Sequence, residues 1–289
     1  MPRICYRNHN FTNSSLDIID VANDIIDEYM GQGYVLTLRQ LYYQFVSRDL
    51  LANTQRSYKR LGSIVNDARL AGLMDWEAIE DRTRSLSRLS SWGSPGEIVD
   101  ACSRQFRYDK WERQDFRIEV WIEKEALAGV FERVCNELDV PFLSCRGYGS
   151  QSVMWRAARR IESRQQDTVI LHFGDHDPSG IDMSRDIVDR LEVFGVDVDF
   201  YRLALNMDQI DEYTPPPNPA KITDSRARVY ISEYGHESWE LDALDPAVLE
   251  NLVRRHVHVY RDDRLWAEDV EREEDARRRL KELSLELTD

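Results

Sequence analysis

Between residues 117 and 205 short apolar runs alternate with amphipathic ones, and that order dictates an architecture. Residues 117–122 read as a strand in which Ile118, Val120 and Ile122 alternate with Glu119 and Trp121. A helix over 124–138, a strand over 141–145, the glycine-rich loop RGYGSQS and a helix to about residue 164 follow. Next come a buried strand over 169–173, a helix to about 193 and a strand over 198–205. Strand and helix in regular alternation give an α/β fold, a parallel sheet with both faces covered and right-handed crossovers. Glu123, Gly147 and Asp175 then fall at strand ends on one sheet edge, the edge at which open α/β sheets bind ligands.

The turn after the third of these strands carries chemistry. VILHFGDHDPSGI, residues 169–181, breaks from apolar strand to turn at Gly174 and places Asp175 and Asp177 at the strand's end. Glu123 joins them from a second strand, and three carboxylates brought together repel unless they hold a proton or a cation. Magnesium prefers such oxygen ligands, and its expected use is phosphoryl transfer. Asp-Pro and Ser-Gly are also ordinary turn chemistry, so a solvated acidic turn is the competing reading. His176, between the two acids, reads as a turn histidine in water; a nitrogen ligand favouring manganese is the alternative. His172 reads as core.

Upstream the pattern is helical. A helix over 16–30 capped by Asn13 or Ser14 shows a stripe of Ile18, Ile19, Val21, Ile25 and Ile26. A second over 38–48, capped by Thr37, turns Leu38, Leu41, Tyr42 and Phe45 to the core and leaves Tyr43 off that stripe. Arg39 lies four residues before Tyr43 on the same face. A phenol ionises near pH 10, so a tyrosine that attacks phosphorus needs help from a cation or base, and Arg39 is placed to give it. Tyr43 is equally one of 13 tyrosines, for which packing on a helix is an ordinary role. A third helix over 55–71 buries Leu61, Ile64, Val65 and Ala68 and turns Arg56, Lys59, Ser63 and Asn66 outward, a face suited to DNA or simply to solvent. Residues 72–84 would follow as a wing or further turn, and the Ser, Gly and Pro of 85–96 read as a connector. The expected division is therefore a helical, winged-helix (CAP-like) domain over 1–96 and an α/β domain over 97–289. After a bridging helix over 97–108 and the sheet, the proline cluster YTPPPNPA is expected to be irregular and 238–241 a short strand. From residue 245 the chain reads as helical, with an exposed, highly charged end.

Charge narrows the partners. The chain carries a net charge of -15, and the first 118 residues hold 16 basic and 16 acidic side chains, so the excess acid lies entirely in the remainder. Residues 37–90 alone turn positive, 9 Lys and Arg against 6 Asp and Glu, and are the region to offer a phosphate backbone. No apolar run approaches the ~20 residues that cross a bilayer, and the N-terminus lacks a signal-peptide core, so no membrane role and a cytoplasmic, nucleoid-associated location are expected. Cys5, Cys102, Cys135 and Cys145 form no CxxC pair and are expected reduced and mostly buried.

IEKEALAGVF (122–131), RGYGS (146–150) and GDHDPSG (174–180) resemble the signature segments of a Toprim domain. Within that superfamily they are most similar to the A subunit of topoisomerase VI and its meiotic double-strand-break relative, whose upstream winged-helix domain holds a catalytic tyrosine in an Arg-x-x-Tyr/Phe-Tyr pattern. Here that pattern is Arg39-Gln40-Leu41-Tyr42-Tyr43. ESWELDAL (237–244) is similar to the segment following the Toprim core, and the likeness runs from about residue 36 to 252. It implies Tyr43 as nucleophile, Arg39 as its cationic neighbour, and Glu123, Asp175 and Asp177 as ligands of Mg2+ (or Mn2+). It implies double-stranded DNA as substrate, a homodimer in which the tyrosine of one protomer works with the metal site of the other, and cleavage through a 5′-phosphotyrosyl link. The chain resembles the small stand-alone mini-A relatives more than the full subunit. It shows no GHKL-type nucleotide motif, so strand passage would need a separate ATPase partner. A hydrolytic Toprim metal nuclease and a non-catalytic DNA-binding protein are the alternatives.

Overall fold

The computed structural model describes residues 3–79, 91–164 and 166–287. Three helices open it: α1 (Asn13–Gly31), α2 (Leu38–Ser47) and α3 (Gln55–Leu70). Each begins at a threonine whose hydroxyl accepts a backbone N–H of the first turn, Thr12 from Ser15, Thr37 from Gln40 and Thr54 from Ser57. Thr37 and Gln40 form a reciprocal capping box that fixes where α2 starts. The apolar stripes meet in a core that includes Ile25, Leu41, Phe45, Leu61 and Val65. Among the described residues, β pairing in this helical unit is limited to single bridges, Cys5 with Ala71 and Leu36 with Ile79. The end of the expected wing and the first part of the expected connector fall on residues 80–90, outside the described residues; the connector's last residues are described, and the bridging helix begins there, at Pro95 with Ser94 as its cap.

Four strands, β1 (Phe116–Ile122), β2 (Phe142–Ser144), β3 (Asp167–Phe173) and β4 (Asp199–Ala204), form a fully parallel sheet in the order β2-β1-β3-β4. The α/β architecture with a parallel sheet is as expected. Helices α5 (Ala128–Glu137) and α10 (Pro246–Val259) cover one face, with Phe131, Val134, Leu249 and Val253 against Val120, Leu171 and Phe173. Helices α6 (Gln151–Glu162) and α7 (Pro178–Val193) cover the other, with Met154, Ala158, Met183 and Ile187 against Trp121 and Ile170. The chain leaves β1 for β2 across the first face and leaves β3 for β4 across the second. The winding therefore reverses between β1 and β3, where Ile122 pairs with Phe173. Such a switch point opens a crevice at the strands' C-terminal ends.

Both faces of β1 are covered, as the alternation of elements predicted: Glu119 is only 2% exposed, and its carboxylate takes Arg160, Arg164 and the Trp121 indole N–H. Two expectations are corrected. The C-terminal helix α11 (Asp263–Glu286) is not wholly exposed, since it packs along α4 (Pro95–Gln105) and buries Asp269, Glu273 and Ser284. Lys110 supplies the countercharge to Glu273 at 2.7 Å. Helices α8 (Met207–Tyr213) and α9 (Ala227–Tyr234) flank the proline cluster, which is not irregular throughout: β5 (Asn218–Pro219) pairs antiparallel with β6 (Glu237–Ser238). All four cysteines are free; Cys135 and Cys145 are buried, whereas Cys5 and Cys102 are exposed. Among the described residues no helix is long and apolar enough to cross a membrane.

Candidate active site

Three strand ends meet as the alternation predicted. The Glu123 N–H donates to Phe173 O and the Gly147 N–H to Glu123 O, while Glu123 Oε2 accepts the Asp175 N–H at 2.8 Å. Asp177 caps α7: its Oδ1 accepts the Gly180 N–H at 2.7 Å, with Pro178 opening the helix. The turn is packed so tightly on that helix that a β-carbon at Gly180 would lie 2.2 Å from Asp175 O. Behind it stands Arg202 of β4, part-buried and with no carboxylate salt bridge among the described residues. Its guanidinium donates to Gly174 O, Asp175 O, Gly180 O, Leu205 O and the Ser184 hydroxyl. A charge withdrawn this far from solvent is tolerated because carbonyl dipoles surround it.

Asp175 does not point at Glu123 and Asp177. Its Oδ1 accepts the Leu241 N–H at 2.8 Å and its Oδ2 lies 2.9 Å from Lys124 Nζ. The same ammonium donates to Glu240 Oε2 at 2.8 Å and Asp242 Oδ1 at 3.1 Å. Glu240 Oε2 also takes Arg39 Nη2 of α2, and Arg39 Nε lies 2.8 Å from Asp242 Oδ2, out of line for a hydrogen bond. Two cations are thus threaded among three carboxylates. Burial raises the Asp175 carboxyl, to about 7, with Lys124 pulling against it and Glu123 and Asp242 adding to the rise. Burial would also raise Glu240, but Lys124 and Arg39 outweigh it and hold that carboxyl down at about 2.

Tyr43 stands beside this network, with the Arg39 guanidinium 5.8 Å from its ring centroid. The helical period put Tyr43 off the core stripe, yet it is 3% exposed, because β5 and the 237–242 segment cover that side of α2. Burial, then Asp242 and Glu240, push the phenol above its ordinary value; Arg39 and the Asn218 side chain pull it down by less. Asn218 is itself oriented by Asn53, whose amide donates to it at 2.8 Å. Arg39, Tyr43, Glu123, Lys124, Asp175 and Asp177 line one cleft of about 910 Å³ within a single chain.

The carboxylates test a magnesium site in part. Among the described residues, Glu123 Oε1 and Asp177 Oδ2 have neither a hydrogen-bond nor an ion-pair partner, and the charge of Asp177 adds to the burial that raises Glu123. That pair fits a hard cation that completes its shell with water and substrate oxygens. A three-carboxylate set does not fit, since Asp175 is taken by Lys124 and Leu241, and among the described residues no group of three or more His, Cys, Asp or Glu is arranged to hold a metal.

His176 corrects an expectation. It is 2% exposed, pairs backbone to backbone with Trp239, and shares its Nδ1 with the Tyr230 hydroxyl at 2.7 Å. Burial pushes it down to about 4, so it is a neutral structural group and not a histidine in water. His172 is core, as expected. Arg56, Lys59, Ser63 and Asn66 lie exposed on the outer face of α3, while Thr54, Gln55 and Tyr58 at its start line the cleft. Sequence reasoning missed Lys124, Glu240, Asp242 and Arg202 as site residues. The first three stood inside segments already singled out, IEKEALAGVF and ESWELDAL, and Arg202 was a charged residue inside a strand expected to be buried. Neither a protein-family model nor a curated protein matches the chain.

Proposed function

We propose that the chain is a Mg2+-dependent (or Mn2+-dependent) DNA-cleaving transesterase of the kind its winged-helix and Toprim likeness implies. The observation that carries this reading is the meeting, in one cleft, of a tyrosine and an arginine from α2 with carboxylates from the ends of β1 and β3. The Tyr43 oxygen attacks a backbone phosphorus, forming a phosphotyrosyl ester on the 5′ side; the bond to the 3′ oxygen breaks, and that oxygen takes up a proton as the phenol loses one. Arg39 and Lys124 face the charge that develops on the phosphoryl oxygens. Glu123 and Asp177 would hold the cation, which when bound supplies Lewis-acid stabilisation of the phosphate and the departing oxygen. Asp175 keeps Lys124 in place. Double-stranded cutting calls for two such sites, hence a homodimer, and strand passage calls for a separate GHKL-type ATPase.

One observation favours a hydrolytic nuclease as second reading: the phenol of Tyr43 is buried and pushed up, which suits water as nucleophile. The experiment that separates the two is incubation of supercoiled plasmid with magnesium, stopped with detergent, for the parent and Tyr43→Phe, with and without protease. Protein joined to DNA 5′ ends, absent in Tyr43→Phe, is expected. Free-ended breaks that persist in Tyr43→Phe would replace the transesterase by the nuclease.

A further inference from the structure

We propose that Arg39 and Lys124 form a subsite for one phosphodiester group, and that in the DNA-free chain the carboxylate of Glu240 occupies it. A single oxygen, Glu240 Oε2, accepts from both the Arg39 guanidinium and the Lys124 ammonium. The two cations come from separate parts of the chain, α2 and the loop after β1, and converge on one point from two sides. A phosphate oxygen satisfies the same pair of donors, since guanidinium and ammonium bind carboxylate and phosphate through the same charge-assisted hydrogen bonds.

The two acids that hold these cations are not equivalent. The Asp242 side chain is 0% exposed and lies beneath them as a fixed counterion, whereas that of Glu240 is 26% exposed at the cleft. Glu240 follows β6 on extended backbone, so its side chain can swing into solvent without unfolding an element. Arg39 and Lys124 carry two positive charges, and Glu240 and Asp242 are the two carboxylates they share. Withdrawal of Glu240 leaves one shared anion for two cations, and an incoming phosphate restores the second. The occupant is thus an internal competitor of the substrate: it keeps the cleft's cations ordered and must yield before a phosphate is bound. The cleavage reading supplies only the name of the ligand; the competition itself follows from the geometry.

The test is binding without chemistry. In a Tyr43→Phe background, affinity for a duplex DNA oligomer is measured at low salt, and protection by inorganic phosphate is followed through the melting temperature. Glu240→Gln keeps the shape of the side chain and removes its charge, and is expected to bind duplex at least about fivefold more tightly than the background, the scale of one relieved charge contact near a surface. Glu237→Gln, the same change of charge on an exposed side chain that touches neither cation, is expected to stay within about twofold. Glu240→Asp, which retracts the carboxylate by one methylene, is expected to lie between them and serves if Glu240→Gln does not fold. A gain for duplex alone assigns the subsite to a phosphodiester, and an equal gain in protection by inorganic phosphate assigns it to the phosphate group itself. Unchanged or weaker binding by Glu240→Gln and Glu240→Asp, both folded, would overturn the proposal. Because no step requires cleavage, a failure of the transesterase reading would leave this result standing, and the reverse.

Discussion

Tyr43 shows what one helix can and cannot disclose. The i, i+4 spacing to Arg39 was readable from α2 alone. The acids that share the guanidinium, Glu240 and Asp242, lie about two hundred residues downstream, and no local period points to a partner that distant. Their charges, added to burial, hold the phenol protonated. The sign of the consequence is fixed: the reactive form is the phenolate, and its fraction grows about tenfold per pH unit while the pH stays below the raised value. Covalent protein–DNA adduct should therefore form faster from pH 6 to pH 9 without levelling, in a single-turnover assay at fixed magnesium. A plateau below pH 8 would show that a different group governs the step. Gly180 tests the other side of the cleft. A methyl group there meets the Asp175 carbonyl at 2.2 Å and Glu123 Oε2 at 3.1 Å, so the turn itself must move. Gly180→Ala is expected to destabilise the chain by about 1–3 kcal/mol in urea unfolding, as overpacking does, and to abolish cleavage even where it folds. Full activity would remove the tight turn from the reading of the site.

At the scale of elements, the alternation of strands and helices was legible because parallel strands must be crossed over by helices, and the sheet, its covered faces and the edge holding Glu123 and Asp175 follow from that rule. The partners of buried side chains were less legible. The alternation in β1 set Glu119 on a covered face without disclosing its partners; α6 lies over it, and Arg160 on that helix and Arg164 just beyond it reach the carboxylate. Burial by itself would raise this carboxyl; the hydrogen bond and charge of Arg160, the Trp121 N–H and Arg164 hold it below its ordinary value. A carboxyl depressed by folding stabilises the native state above the unfolded value near 4.3 and loses that contribution as the pH falls through the folded value. Glu119→Gln should cost about 2–3 kcal/mol at pH 7, toward the low end for a broken buried ion pair because both arginines reach solvent. The gap between parent and variant should close as the pH falls below about 4. A gap that is the same at pH 7 and pH 3 in urea titrations would mean that packing, not charge, holds α6 to β1.

For the whole molecule the question is how a chain of net charge -15 approaches a polyanion. Most of the cleft's cations offer little attraction from a distance, since Arg39 and Lys124 are already held by acids and Arg146 is paired with Glu125; among the described lining residues Lys221 is the basic side chain without an ion pair. The outer face of α3 differs: Arg56 and Lys59 are exposed, and among the described residues neither makes an ion pair. That face lies beside the cleft entrance formed by Thr54, Gln55 and Tyr58, so a duplex held by α3 would pass the mouth of the site. Long-range capture by α3 and short-range exchange at Glu240 are then separable, because parent and Glu240→Gln make the same Arg39 and Lys124 contact to phosphate, whereas loss of Arg56 and Lys59 lowers the number of counterions released. Each phosphate contact contributes about 0.9 to the slope of log affinity against log salt. The double variant Arg56→Ser/Lys59→Ser should lower that slope by about 1.8, measured by fluorescence anisotropy on duplex DNA over a salt series, while Glu240→Gln should shift the line upward without tilting it. An unchanged slope in the double variant would move the DNA-binding face off α3, and with it the path by which a backbone phosphate reaches Tyr43.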